Sequence, residues 1–210
     1  MSTQPAPHRA PWYYRWRFSL IGALYGAAFF FGYLVLGLIG QQPVLLYKQS
    51  GYPLIVGLLS ALCAVGGYAL RVWASSYLAA SIVWKPDVAL GELRVSGPYR
   101  STRNPLYLGN VLQAIGVGLV SPWTVLVLLL MGMPAYMLAL IGVEEKFLAS
   151  ELGESYARYR QSVARLLPLP GKIAAPGEQP GSLRDGVRSE VMTGIIAFGV
   201  LAGLIYTWPR

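Results

Sequence analysis

Arg103 stands immediately before a 40-residue stretch without a charge, residues 104–143, and Glu144 and Glu145 stand immediately after it. Ser121-Pro122 near the middle of that stretch supplies a break, so two short helices return the glutamates to the level of Arg103. Arg103 and the later Arg165 can pair bidentately with a carboxylate, while Glu144 or Glu145 can hold an ammonium or ribose hydroxyls. Asn104 offers a donor and an acceptor one helical turn from Tyr107. Pro105 at a helix start leaves free backbone N–H groups where an anion is favoured. Together these groups suit a zwitterionic, amino-acid-like cofactor. Each also has a plainer role: Arg100 and Arg103 as charges anchoring a membrane boundary, and Tyr156 and Tyr159 as interfacial anchors. The glutamate pair fits the plain role less well, because negative charge at a helix C-terminus is unfavourable.

Other chemistries lack their residues. The single histidine, His8, lies in a Pro-rich N-terminus, and the single cysteine, Cys63, lies in an apolar run. Serine–histidine, cysteine–histidine and histidine–metal catalysis therefore have no base or ligand, and no metal site is expected.

The elements that must position these residues are membrane helices. The chain has 210 residues, 55% hydrophobic and only 12% charged, with a mean hydropathy of +0.48. A soluble domain carries roughly twice that charged share. The net charge of +8 does not make a nucleic-acid binder, because uncharged runs separate the basic residues. A spanning helix needs about 20 apolar residues. Such stretches are predicted at 18–40, at 53–70 or slightly beyond, and at 191–208, with the shorter 105–120 and the longer 122–143 forming the hairpin. Residues 1–17, with Arg9, Arg15, Arg17 and their Trp and Tyr neighbours, read as a basic and aromatic anchor. The run after them is too long for the apolar core of a signal peptide. Arg71 interrupts the second stretch, marking either a boundary or a polar cavity.

Phe147, Leu148, Leu152, Tyr156, Tyr159 and Val163 are spaced for an amphipathic helix, which Pro168 and Pro170 stop. Residues 18–170 thus form a core of four spans plus an amphipathic segment, 171–190 a linker and 191–210 a fifth span. Fourteen of the 17 Lys and Arg residues fall on one side of this arrangement. The expectation is an all-α polytopic protein of about five helices in a bacterial inner membrane. Its N-terminus and polar pocket are cytoplasmic and its C-terminus outside.

Two blocks carry a family resemblance. Gly97-Pro98-Tyr99-Arg100 followed by Arg103-Asn104-Pro105-Leu106-Tyr107-Leu108-Gly109 resembles the first signature of the isoprenylcysteine carboxyl methyltransferase and phospholipid N-methyltransferase superfamily. Glu144-Glu145, then Leu152-Gly153-Glu154-Ser155-Tyr156, Tyr159, Arg165 and Pro168 resemble the second, in the same order and at similar distances. The resemblance covers about residues 66–170. It implies a small integral-membrane enzyme that uses S-adenosyl-L-methionine in a cytosol-facing pocket. Arg103, Asn104, Tyr107, Leu108 and Gly109 would form one wall, and Glu144, Glu145, Tyr156, Tyr159 and Arg165 the other. The substrate would be a membrane lipid or lipid-modified molecule entering from the bilayer. Eukaryotic members carry His where this chain has Asn104, Leu152 stands for a usual Phe, and Ala164 for a frequent Pro.

For a carboxylate acceptor Arg165 is the leading catalytic candidate; for an amine, Glu145, which would hold the ammonium and accept its proton. The sequence leaves both open. A nicotinamide-dependent membrane reductase, a non-catalytic lipid-binding or scaffolding protein and a small transporter are the alternatives.

Overall fold

Helix boundaries fall where charge, proline and small polar residues place them. The computed structural model describes residues 12–78, 95–175 and 180–207. One turn, α1 (Trp12–Arg15), precedes α2 (Arg17–Leu38), and α3 (Leu46–Gln49) precedes α4 (Pro53–Ser75). A 3-10 turn, Gly97–Arg100, leads to α5 (Pro105–Leu119), α6 (Trp123–Ser162) and α7 (Leu183–Thr207). Proline occupies the first turn of α4 and of α5, where its missing N–H has no partner to lose. Among the described residues the chain is all-α, with one isolated bridge between Thr102 and Ala164. Four helices, α2, α4, α6 and α7, are long and apolar enough to cross a membrane. The apolar α5 has 15 residues, about 22 Å at 1.5 Å per residue, short of a bilayer's hydrocarbon thickness.

Three details depart from the sequence-based expectation. The second hairpin helix and the amphipathic segment are one 40-residue element, interrupted only at Gly153, whose φ of 51° and ψ of −122° are not helical. α7 begins at Leu183, inside the expected linker, because Ser182 Oγ accepts from the Asp185 N–H and the Ser182 N–H donates to the Ser76 carbonyl at 2.8 Å. The N-terminal anchor is divided: Trp12 and Trp16 are exposed, whereas Tyr14 and Arg17 are buried. Residues 1–11, 79–94 (with Lys85 and Arg94), 176–179 and 208–210 lie outside the described residues.

Small residues set the helix spacing. A Cβ on Gly67 would meet the Gly109 carbonyl oxygen at 2.7 Å, and one on Gly116 would meet the Ala64 nitrogen at 2.8 Å. α4 and α5 therefore touch backbone to backbone, tied by Ser60 Oγ donating to the Gly116 carbonyl at 2.7 Å. α6 adds Leu129, Met133, Met137 and Leu140 to a core with Ala114 and Val117 of α5 and Ala28 of α2. Thr124 Oγ1 donates to the Gly32 carbonyl at 3.0 Å where α2 meets α6. α7 lies along α4, with Phe198 edge-on to Tyr68 at 5.4 Å. Outward, α2, α4, α6 and α7 present large apolar side chains such as Phe30, Leu58, Leu62, Met131 and Ile195. That is a surface made for hydrocarbon rather than water. At one end of the bundle the Leu46 N–H donates to the Ser121 carbonyl, tying α3 to the α5–α6 turn. At the other end the charged residues gather.

Candidate functional site

The sequence at the start of α5 builds the first half of the site. The Arg103 N–H donates to the Ala164 carbonyl at 2.9 Å, and Thr102 Oγ1 donates to the Leu166 carbonyl at 2.8 Å. The segment after α6 is thereby stitched beside the residues that precede α5, which brings Arg165 back to Arg103. Arg103 Nε donates to Glu145 Oε1 at 2.9 Å, and Arg165 Nε lies 3.2 Å from Glu145 Oε2. Asn104 Nδ2 donates to the same Glu145 Oε1 at 3.3 Å and to the Arg165 carbonyl at 2.8 Å. Arg103 Nη1 completes the frame by donating to the Arg160 and Val163 carbonyls. Two guanidinium groups thus share one carboxylate, leaving one positive charge in excess. The Arg103 and Glu145 side chains are 9% and 10% exposed, but that of Arg165 is 46% exposed. The excess charge is therefore presented at the open side.

Glu144, the residue before Glu145, points elsewhere. It lines a cavity of about 70 Å³ together with Tyr14, Arg17, Phe18, Ile21, Arg71, Leu78, Leu106, Tyr107 and Asn110. The Tyr107 hydroxyl lies beside the Glu144 carboxylate, with the Tyr14 hydroxyl next to it. An ionised carboxylate only accepts, so Tyr107 is the donor towards Glu144. Burial, and then the charge of Glu144, holds the Tyr14 hydroxyl well above its ordinary pKa, so it stays protonated and neutral. The Arg17 guanidinium lies 4.6 Å from the Tyr14 ring and donates to the Tyr14 carbonyl at 3.2 Å.

Behind this cavity sits a second ion pair. Arg71 Nε donates to Glu190 Oε2 at 2.8 Å and Nη2 to Oε1 at 3.0 Å, while Nη1 donates to Asn110 Oδ1 at 2.7 Å. Ser75 Oγ donates to Glu190 Oε1 at 2.8 Å. Glu190 is fully buried. Arg71 therefore marks both a packed helix contact and a polar cavity wall.

The expected site residues divide accordingly. Arg103, Asn104, Glu145 and Arg165 come together. Tyr107 and Glu144 meet at the cavity. Gly109 turns to α4, where a Cβ would meet the Arg71 stem and the Gly67 carbonyl, and Leu108 is buried. Tyr156 and Tyr159 form a small core with Val163, and Tyr159 Oη donates to the Tyr99 carbonyl at 2.7 Å. That bond fixes the 3-10 turn against the segment after Gly153. Sequence reasoning missed Tyr14, Arg17, Asn110 and Glu190. The signal for Glu190 was Arg71 itself, since an ionisable residue within an apolar helix requires a partner. Among the described residues, no group of three His, Cys, Asp or Glu side chains is placed to hold a metal.

Residues 55–155 match the family model described as phospholipid methyltransferase. The match runs from α4 to just past Gly153 and includes Arg71, Arg103, Asn104, Tyr107, Glu144 and Glu145. It ends before Tyr156, Arg165 and Glu190. The chain thus carries a phospholipid-methyltransferase-like domain in a helical protein with four helices able to cross a membrane. No curated protein and no solved structure matches it.

Proposed function

We propose that the chain is a membrane methyltransferase that moves the methyl group of S-adenosyl-L-methionine to the amine of a lipid headgroup. The observation that carries this reading is the division of two adjacent glutamates, Glu145 into a cluster with excess positive charge and Glu144 into a neighbouring cavity. The donor set of the first cluster fits the amino-acid end of the cofactor. Arg165 would take its carboxylate, and Glu145, with acceptor capacity left on Oε2, its ammonium. Arg103 and Asn104 would hold Glu145 in place. When bound, the cofactor supplies an activated methyl group on a sulfonium, so no covalent enzyme intermediate is required.

The chain's own residues prepare the acceptor. Glu144 would bind the headgroup ammonium in the cavity and take one proton onto its carboxylate, leaving the nitrogen lone pair free for the methyl group. Tyr107 orients that carboxylate through its hydroxyl. Phe18, Ile21, Leu78 and Leu106 keep the cavity apolar on its remaining sides and limit water. Arg165, in this reading committed to the cofactor's carboxylate, is not left to position an acceptor carboxylate. In this reading residues 18–170 are the methyltransferase unit, and the site and N-terminus face the cytoplasm of a bacterial inner membrane.

Direct binding of S-adenosyl-L-methionine to the purified protein in lipid nanodiscs tests it. Saturable binding is expected in the wild type and in Glu144→Gln, the latter without methyl transfer. Binding should be lost in Arg103→Ala. Unchanged binding in folded Arg103→Ala and Arg165→Ala proteins would overturn the cofactor assignment.

A further inference from the structure

We infer that residues 163–175, the segment after α6, form an anchor that lies in the headgroup layer and binds anionic phospholipid. The sequence supplies both parts of such an anchor. Residues 155–175 carry Arg158, Arg160, Arg165 and Lys172 and no acidic residue. Among them Leu167, Leu169 and Ile173 are 65%, 51% and 62% exposed, although they stand outside the helices able to cross a membrane. Water would leave these side chains uncovered. The boundary between headgroups and acyl chains covers them and meets the cations with phosphate. The local backbone is built for this. Leu169-Pro170-Gly171-Lys172 has proline second and Gly171 third with a φ of 76°, and the Lys172 N–H donates to the Leu169 carbonyl at 3.1 Å. That is the type II turn such a sequence favours, and an apolar and a cationic side chain leave its two ends.

Hydrogen bonds set the depth of the segment. Its first residues are tied to those preceding α5 through the Ala164 and Leu166 carbonyls, which accept from the Arg103 N–H and Thr102 Oγ1. Its far end is tied there too: the Ala174 N–H donates to the Arg100 carbonyl at 3.0 Å, and Arg100 Nε donates back to the Ala174 carbonyl at 3.0 Å. The segment therefore runs along the end of the helix bundle. Two exposed tryptophans mark the same level independently. Tyr14 and Arg17 line the cavity with Glu144, which places the neighbouring Trp12 and Trp16 near Glu145, and exposed tryptophan favours the headgroup region. α6 leaves this level at Glu145 and the chain is back at it by Ala164, beside Thr102. Between them Gly153 stands about 12 Å farther out, at 1.5 Å per residue. Ser155, just past Gly153 and exposed, is thus a nearby position that water should surround. The anchor lies beyond residues 55–155 and does not depend on the methyl-transfer reading.

The test places an environment-sensitive nitrobenzoxadiazole label on the full-length protein in nanodiscs, at Ile173→Cys or at Ser155→Cys, each in a Cys63→Ala background. The nanodiscs contain phosphatidylcholine and phosphatidylglycerol, and either lipid carries a nitroxide quencher near its glycerol. The label at residue 173 should emit at shorter wavelength than in water and be quenched by both lipids, more strongly by phosphatidylglycerol. The label at residue 155 should emit as in water and escape quenching. Arg165 is engaged with Glu145, so Lys172 is the cation to remove. Lys172→Gln should lower the preference for phosphatidylglycerol by about five-fold, the size expected for one basic residue at an anionic surface. High salt should abolish that preference while the emission stays shifted, whereas Leu167→Ser/Leu169→Ser should weaken quenching by both lipids. Circular dichroism and a cooperative melt establish that each variant is folded; if the double serine variant does not fold, Lys172→Gln and the salt series still decide the matter. Water-like emission at residue 173, equal quenching by the two lipids, or a preference unchanged in Lys172→Gln would each overturn the proposal. So would a shifted emission that neither lipid quenches, since protein, such as a second copy of the chain, would then cover the segment.

Discussion

Two arginine–glutamate contacts lie at the same end of this bundle, yet they are built to opposite specifications. In Arg71–Glu190 every guanidinium nitrogen has an acceptor, both carboxylate oxygens are used, and the pair is neutral and buried. In Arg103–Glu145–Arg165 one carboxylate serves two cations, and one of those cations is nearly half-exposed. A closed, neutral pair joins helices and keeps no net charge in reserve. An open, unbalanced group is held together less tightly and keeps charge in reserve. The difference teaches that burial of an ion pair is not itself the mark of a site; imbalance with access is.

The largest effect should come from breaking the closed pair. Arg71→Ala leaves Glu190 buried without its counter-ion and should destabilise the protein by about 3–5 kcal/mol. Arg103→Ala leaves Glu145 with Arg165 and Asn104, so its cost should be about 1–2 kcal/mol. Thermal melting of both variants in the same detergent checks the order. If Arg103→Ala melted lower than Arg71→Ala, the two contacts would not differ in kind.

Next in size is Gly109→Ala. The added Cβ would stand 2.5 Å from Arg71 Cγ and 2.8 Å from the Gly67 carbonyl oxygen. The carbonyl belongs to a helix backbone and cannot swing away, so α4 and α5 must separate, at about 1–3 kcal/mol. Because Arg71 Nη1 reaches across that seam to Asn110, the melting temperature should fall. Cofactor binding at the open cluster should change little, since Gly109 faces α4. A Gly109→Ala protein that melts normally but fails to bind cofactor would restore Gly109 to the cofactor wall.

How much of this was legible in the sequence depends on the length scale of the signal. The membrane helices were readable because charge-free runs are a property of each segment by itself, and α2, α4 and α5 begin and end within a few residues of the hydropathy limits. The approach of Arg103, Glu145 and Arg165 was readable too, because a hairpin with a central Ser-Pro break has one geometry. α7 was misplaced at its start because its first turns carry Arg184, Asp185, Arg188 and Glu190, which lower hydropathy although Glu190 faces inward. The Glu144–Glu145 division was hidden for a simpler reason. Adjacent residues on a helix point about 100° apart, and which neighbour each one meets is a tertiary fact. Arg17 looked like a boundary anchor for want of the same information.

A smaller backbone effect belongs to Gly153. Its φ of 51° with ψ of −122° lies where a side chain is strained, although nothing within 4 Å would meet a Cβ there. Gly153→Ala should therefore cost about 1–2 kcal/mol through backbone strain alone. It would act on the open cluster only, since the segment after Gly153 carries Tyr159, Val163 and Arg165. Cofactor affinity should drop while the Arg71–Glu190 contact stays as it is.

Arg165→Ala should have the smallest effect on stability and a clear effect on binding, and so separates the two contacts most sharply. Its side chain is 46% exposed, and its bond to Glu145 is one of three that the carboxylate receives. Removing it leaves Glu145 paired with Arg103 and turns the cluster from an excess of one positive charge to neutral. An ion pair this exposed contributes about 0–1 kcal/mol, so the melting temperature should barely move. The neutral cluster would resemble Arg71–Glu190 in balance and should lose affinity for the carboxylate end of S-adenosyl-L-methionine by about ten-fold or more, the loss expected for one charge-assisted hydrogen-bonded contact. Arg165→Lys keeps the charge but not the fork, and should recover part of that loss. Equilibrium binding in nanodiscs across a salt series distinguishes the cases. In wild type and Arg165→Lys the affinity should weaken with salt, whereas in Arg165→Ala the salt dependence should flatten. A steep salt dependence surviving in Arg165→Ala would mean that the reserve of charge lies elsewhere, with Arg17 at the cavity the next place to look.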